Sequence, residues 1–117
     1  MHSYSHRVIR KISAFAGIDR DSLSEYLVPL HLAFVVYAST RGTFVLGGLQ
    51  ALFEHDLDEA LHEVVRSESR CPLDPVCADH GRACVACLHV GEPSCRFYNQ
   101  FLDRDALFGA AGFFVSR

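Results

Sequence analysis

Apolar residues recur at helical spacing near the start of the chain. Val8, Ile9, Ile12, Phe15 and Ala16 share one face, which predicts a helix over about 6–16 that stops at Gly17. Arg7, Arg10 and Lys11 lie off that face. Ser22 and Glu25 have the spacing of a capping box, so a short second helix carrying Leu23, Tyr26 and Leu27 is expected, ended by Pro29. His31–Tyr37 reads as a strand, because Leu32, Phe34, Val35, Val36 and Tyr37 form a near-continuous run of β-formers. Such a run suits a strand buried on both faces. Its backbone needs a neighbour, with Thr43–Leu46 the best candidate within the chain and a strand of another chain the alternative. Gly47-Gly48 reads as a turn ahead of a helical stretch at 49–53. The clearest helix is Leu57–Ser69, with Leu57, Ala60, Leu61, Val64 and Val65 on one face and Asp56 with Glu59 as an acidic cap. Periodicity fades from Arg70 and returns in Cys95–Leu107, a last expected helix carrying Phe97, Tyr98, Phe101 and Leu102. The tail, Phe108–Arg117, is rich in Gly, Ala and Phe and is expected to be loosely held.

These elements describe a small α/β domain, with a short, largely buried strand pair packed by helices and a cysteine-rich loop region. The 117 residues fit one domain, taken as 1–108 with its cysteine-rich part at 70–96 and a tail at 109–117. Half of the chain is hydrophobic and 21% is charged, which excludes a disordered polyelectrolyte. The net charge of −3 excludes the strong basic excess of a self-sufficient nucleic-acid binder. The longest apolar run, 27–38, contains Pro29 and His31 and falls short of the roughly 20 residues that cross a bilayer. No apolar stretch follows MHSYSHRVIRK as in a secretory leader, so a cytoplasmic address is expected.

Cysteine changes the picture most. All five lie between residues 71 and 95, in the order Cys71-x5-Cys77-x6-Cys84-x2-Cys87-x7-Cys95. An odd number in a reducing compartment argues against a closed disulfide framework. Cys84-Val-Ala-Cys87 has knuckle spacing, and Cys71 and Cys77 flank the stiff segment Pro72–Pro75. Zinc takes four soft or borderline ligands in a tetrahedron, so Cys71, Cys77, Cys84 and Cys87 are the expected ligands of a structural Zn²⁺. Cys95 is then a spare, or it replaces Cys71 or Cys77. His80 and His89 lie inside the cluster and are further candidate ligands. Two other readings compete: small buried hydrophobes, and a thiol redox pair. The redox reading lacks a βαβ context for its CxxC.

Other constellations are weaker. His2 and His6 have the spacing to share a helix face, but without an H-E-x-x-H carboxylate they read as frayed terminal residues. His31 reads as a core residue of the strand. The Gly42–Gly48 segment lacks the Lys-Ser/Thr ending of a phosphate loop and reads as a tight turn. Nothing legible assembles a catalytic triad, and no small-molecule substrate is indicated. Arg7, Arg10 and Lys11, with Arg82 and Arg96, are the candidate phosphate contacts if the chain meets DNA directly.

Taken in order, the motifs resemble a known bacterial module. They are His2-Ser-Tyr-Ser-His6, Gly42-Thr43, Gly47-Gly48-Leu49, Cys71-x-x-Asp74-Pro75-x-Cys77, Cys84-x-Ala86-Cys87-Leu88, Ser94-Cys95 and Asn99-x-Phe101-Leu102-Asp103-Arg104. The series is similar to the cysteine-rich C-terminal domain of the DrmB protein of DISARM anti-phage systems and of MrfA-type DNA-repair helicases, over about residues 2–108. The resemblance implies a metal held by four cysteines, best carried onto Cys71, Cys77, Cys84 and Cys87. It also implies a helicase or other defence or repair protein as partner, with DNA reached through that complex. The chain departs from the helicases in having no Walker A motif and no DExH box. The expectation is therefore a non-enzymatic, zinc-dependent accessory module.

Overall fold

A computed structural model describes residues 1–39, 43–66, 70–91 and 94–114. The first helix, α1 (His2–Ala16), begins four residues earlier than its apolar face suggests and runs through the middle of the fold. It touches a later helix, α3 (Leu57–Arg66), both strands, and a last short helix, α5 (Asp105–Phe108). Burial on several sides explains why its buried set mixes Val8 and Ile9 with Ser3, Ser5, His6, Arg7 and Ser13. Each polar member has a partner. Ser13 donates to the Ile9 carbonyl, and Arg7 Nε donates to the Val64 carbonyl at 2.5 Å. Gly17 closes the helix in the left-handed region at φ 70°, as expected of a glycine stop.

The expected second helix is a strand. β1 (Leu23–Val28) pairs antiparallel with β2 (Ala33–Ala38), with Leu23 opposite Ala38 and Val28 opposite Ala33. The turn is a 3₁₀ segment, Pro29–His31, followed by Leu32 in the left-handed region. The capping-box reading fails because Glu25 reaches across to α1, where Ser5, His2 and His6 take its carboxylate. The neighbour of β2 is thus β1, and Thr43–Leu46 belongs instead to α2 (Thr43–Ala51). The strand pair is buried unevenly: Leu23, Ser24 and Glu25 are all buried, so both faces of β1 are covered at its start, while the rest of β1 is half-buried or exposed. β2 alternates between half-buried and exposed, and His31 lies exposed in the turn.

Gly47 and Gly48 sit inside α2, so the expected turn does not form at that pair, and Gly42 lies outside the described residues. Gly48 packs closely against Ile18: a Cβ there would lie 3.0 Å from Ile18 Cδ1, so that side chain would have to give by a few tenths of an ångström. One π-type stretch, Leu52–Asp56, joins α2 directly to α3, which leaves Asp56 no cap to make. The C-terminal part of the expected 57–69 helix, residues 67–69, lies outside the described residues.

The last expected helix, Cys95–Leu107, is mostly turns. Tyr98, Asn99 and Phe101 take positive φ, and helix resumes only in α5. Asn99 explains the break, because its side-chain amide exchanges hydrogen bonds of 2.8 and 2.7 Å with the N–H and carbonyl of Val90, like a strand partner. The tail is held at least to Phe114. Phe113 and Phe114 meet the Tyr4 ring edge-on, and their N–H groups donate to the carbonyls of Ala106 and Leu107. The central core is small: Ile9, Leu23, Val90 and Cys95, backed by Ile12, Val36 and Leu49.

Candidate metal centre

Two loops bring four of the five cysteines together. In the first, the Asp74 carboxylate accepts the Cys71 N–H at 3.0 Å, and the Asp74 N–H donates to the Cys71 carbonyl. The chain then enters a one-turn helix, α4 (Val76–Asp79), which carries Cys77. In the second, the N–H groups of Cys87, Leu88 and His89 all donate to the Cys84 carbonyl, the tight fold that a CxxC spacing permits. The Leu73 N–H points at Cys71 Sγ and the Cys84 N–H at Cys87 Sγ, as donors do around thiolates.

The sulfurs of Cys71, Cys77, Cys84 and Cys87 lie within 4.8 Å of one another. Cys71–Cys84, Cys84–Cys87 and Cys77–Cys87 are separated by 3.4, 3.7 and 3.8 Å. A disulfide needs about 2.05 Å. Four sulfurs at ~2.3 Å from one ion make a tetrahedron with edges of about 3.8 Å. The four sulfurs therefore lie close enough together to hold one metal ion, and their separations are too long for a disulfide. An ion held by all four would have no open position for a substrate.

The thiols do not ionise independently. Burial pushes Cys84 up, but hydrogen bonds from Cys71, the Ala86 N–H, Cys77 and Cys87 outweigh it and bring the thiol to about 7. Burial, joined by proton sharing with the other three, pushes Cys87 up to about 12, and burial also raises Cys77. Any cation held by all four sulfurs would have to displace the protons that they share.

Two arginines brace the cluster from outside. Arg10 on α1 donates to the carbonyls of Val85, Ala86 and His89 at 2.8–2.9 Å, gripping the Cys84–Cys87 knuckle. Arg104 makes a two-pronged contact with Asp74 at 2.7 and 3.0 Å, tying α5 to the first loop. That pair holds Asp74 below the usual carboxylate range and Arg104 firmly protonated. Arg7, Arg10, Lys11, Arg70 and Arg104 line a cleft of about 190 Å³ beside Cys87.

Of the basic residues assigned to DNA, Arg7, Arg10 and Lys11 line this cleft, while Arg82 and Arg96 are not among its lining. Arg7 is buried, with its guanidinium 4.5 Å over the Phe108 ring. Arg10 is turned onto the knuckle carbonyls. Arg82 pairs with Asp105 at 3.0 Å, and Arg96 lies over Tyr26. Their places off the apolar face of α1 hid this, because α1 buries more than that face. His80 turns its Nδ1 to the Val76 carbonyl, and His89 is not among the clustered donor groups of the described residues. Cys95 lies away from the four sulfurs, beside His2 with a 3.5 Å Sγ–Nε2 separation. His2 and His6 are not frayed; His6 is fully buried. No sequence signal paired them with Glu25 and Cys95, since the contact depends on β1 being a strand.

Comparison with models of known protein families and with curated protein sequences gives no match. Among the described residues, no helix is long and apolar enough to cross a membrane.

Proposed function

We propose that the chain is a non-catalytic accessory module that uses a structural Zn²⁺ to present a docking surface to a helicase or another protein of a DNA-repair or defence complex. The observation that carries the reading is the closed set of four thiols, Cys71, Cys77, Cys84 and Cys87, at tetrahedral spacing. Thiolate-only sites select zinc among common cellular divalent ions, and a closed site serves structure. Zinc would join the two loops and fix them against α1 and α5, where apolar core is scarce.

The docking part rests on what the fold leaves uncovered and on the motif resemblance to DrmB and MrfA-type domains. Leu30 and Leu32 at the hairpin turn are 95% and 85% exposed. Tyr26 and Val35, opposite one another in the sheet, are also exposed, as are Tyr98 and Phe101. Large apolar side chains in water mark interaction surfaces. The test is recovery of partners by the tagged chain from its own cells. A helicase or DNA-processing protein held by the wild type and lost with Cys84→Ser supports the reading. Identical partner sets for both chains would sink it.

Direct phosphate contact is a second reading, favoured by the basic cleft beside Cys87. It requires DNA affinity of the isolated chain that falls with salt, with a slope reduced by about one on replacing Lys11 or Arg70. No binding at low salt would remove it.

A further inference from the structure

The geometry points to a second metal site, separate from the thiol cluster and built from His2, His6, Glu25 and Cys95. Three distant segments converge there. The two histidines are one turn apart on α1, Glu25 is on β1, and Cys95 is in the segment after Val90. Their four donor atoms lie within 4.8 Å of one another. His6, Glu25 and Cys95 are buried, and His2 is nearly so.

Hydrogen-bond bookkeeping argues for a cation. His6 Nδ1 faces the Leu88 carbonyl at 3.1 Å, so that nitrogen carries the proton and donates it. In neutral imidazole Nε2 is then an acceptor. It faces Glu25 Oε1, another acceptor, at 3.1 Å. His2 Nε2 approaches the same oxygen at 2.7 Å. Either protons or one positive ion must join these atoms. Cys95 Sγ, 3.5 Å from His2 Nε2, adds a soft fourth donor to the set.

The surroundings match what metal sites use. A carbonyl on the remote nitrogen of a ligating histidine orients the ring, as Leu88 does for His6. The Ser5 hydroxyl donates to Glu25 Oε2, which leaves Oε1 facing the histidines. A tetrahedron around a zinc-sized ion has nitrogen and oxygen donors about 3.4 Å apart, and nitrogen and sulfur about 3.6 Å apart. The sulfur–nitrogen edge is already that long. The His2–Glu25 edge of 2.7 Å lengthens by about 0.7 Å and the His6–Glu25 edge of 3.1 Å by about 0.3 Å as their hydrogen bonds give way to metal bonds. Two neutral imidazoles, one carboxylate and one thiolate balance a divalent ion to zero, which suits a buried site. The mixed N₂OS set selects a borderline ion such as Zn²⁺ over Mg²⁺ or Ca²⁺. Bound there, the ion would pin the start of α1 to β1 and to the loop after Val90.

The site is independent of the thiol cluster, so zinc content and coordination separate the two. The full chain is produced with zinc supplied, and metal per chain and the zinc X-ray absorption shell are measured. The expected result is about two zinc ions per chain, with a mean shell of about 2.5 sulfurs and 1.5 nitrogen or oxygen atoms. Cys95→Ser and His2→Ala should each lower the content to about one, with a shell of sulfur alone. Cys84→Ser should leave a shell with a single sulfur. One zinc per wild-type chain in an all-sulfur shell overturns the inference, as does content unchanged in both Cys95→Ser and His2→Ala. The wild-type shell decides the matter even where a variant fails to fold.

Discussion

Arg10 and Arg104 carry positive charge to a cluster whose four thiolates with one Zn²⁺ would sum to about −2. Arg10 spends its donors on three knuckle carbonyls, and Arg104 spends two on Asp74. Arg10→Ala removes charge-assisted bonds and is expected to cost on the order of 1–3 kcal/mol, read by urea unfolding. Its zinc should also exchange faster with a chelator. Unchanged stability and exchange would mean the knuckle holds itself. Arg104→Ala should release Asp74 and speed zinc loss in the same way. At this scale the Cys84–Cys87 knuckle was legible from spacing, because its chemistry is local, whereas the choice of Cys71 and Cys77 over Cys95 came with the fold. The arginines were not, because their partners are 75–79 residues away for Arg10 and 30 for Arg104. The Asn99-x-x-Leu102-Asp103-Arg104 series makes sense only in the fold. Asn99 pairs with Val90, Leu102 is buried, the Asp103 N–H donates to Ser3, and Arg104 holds Asp74.

Among the elements, α1 and α3 were legible because a sustained 3.6-residue period leaves little room for another reading. β1 was not, since Ser22-x-x-Glu25 satisfies the capping-box pattern locally while Glu25 has better partners on α1. The same contact makes Glu25 an acid-sensitive link. Burial alone would raise its carboxyl, but hydrogen bonds from His2, His6 and Ser5 bring it down to about 2. A carboxyl lowered on folding stabilises the fold fully above its ordinary value, and that contribution drains away as pH falls toward about 2. With no ion held by His2, His6, Glu25 and Cys95, Glu25→Gln should therefore flatten the acid limb of stability against pH. An unaltered limb would show that other groups set it. Gly17 ends α1 at φ 70° with open space around it, so Gly17→Ala should cost about 1 kcal/mol through backbone strain alone. Leu30→Ser, at the exposed turn, should change stability by less than about 0.5 kcal/mol while weakening partner recovery.

For the whole molecule, the central apolar core is modest and many large apolar side chains face water. A domain of this size keeps roughly 5–15 kcal/mol of stability, and a structural zinc site can supply about 10 kcal/mol or more. The fold and the metal should then be lost together. Acidification has the same sign, because protons compete with zinc for the four thiolates and favour release as pH falls. The loop chemistry of the centre was visible in the sequence, while the scaffold that clamps it, α1 on one side and α5 on the other, came only with the fold.

The most direct measurement is thiol alkylation of the purified chain followed by mass spectrometry, with zinc content and far-ultraviolet circular dichroism taken on the same sample before and after a strong chelator. The account predicts that Cys71, Cys77, Cys84 and Cys87 are protected together while zinc is bound, and that they become reactive together as zinc and helical signal are lost. A zinc-free chain, folded as purified, with those four cysteines reactive or joined in disulfides, would contradict it.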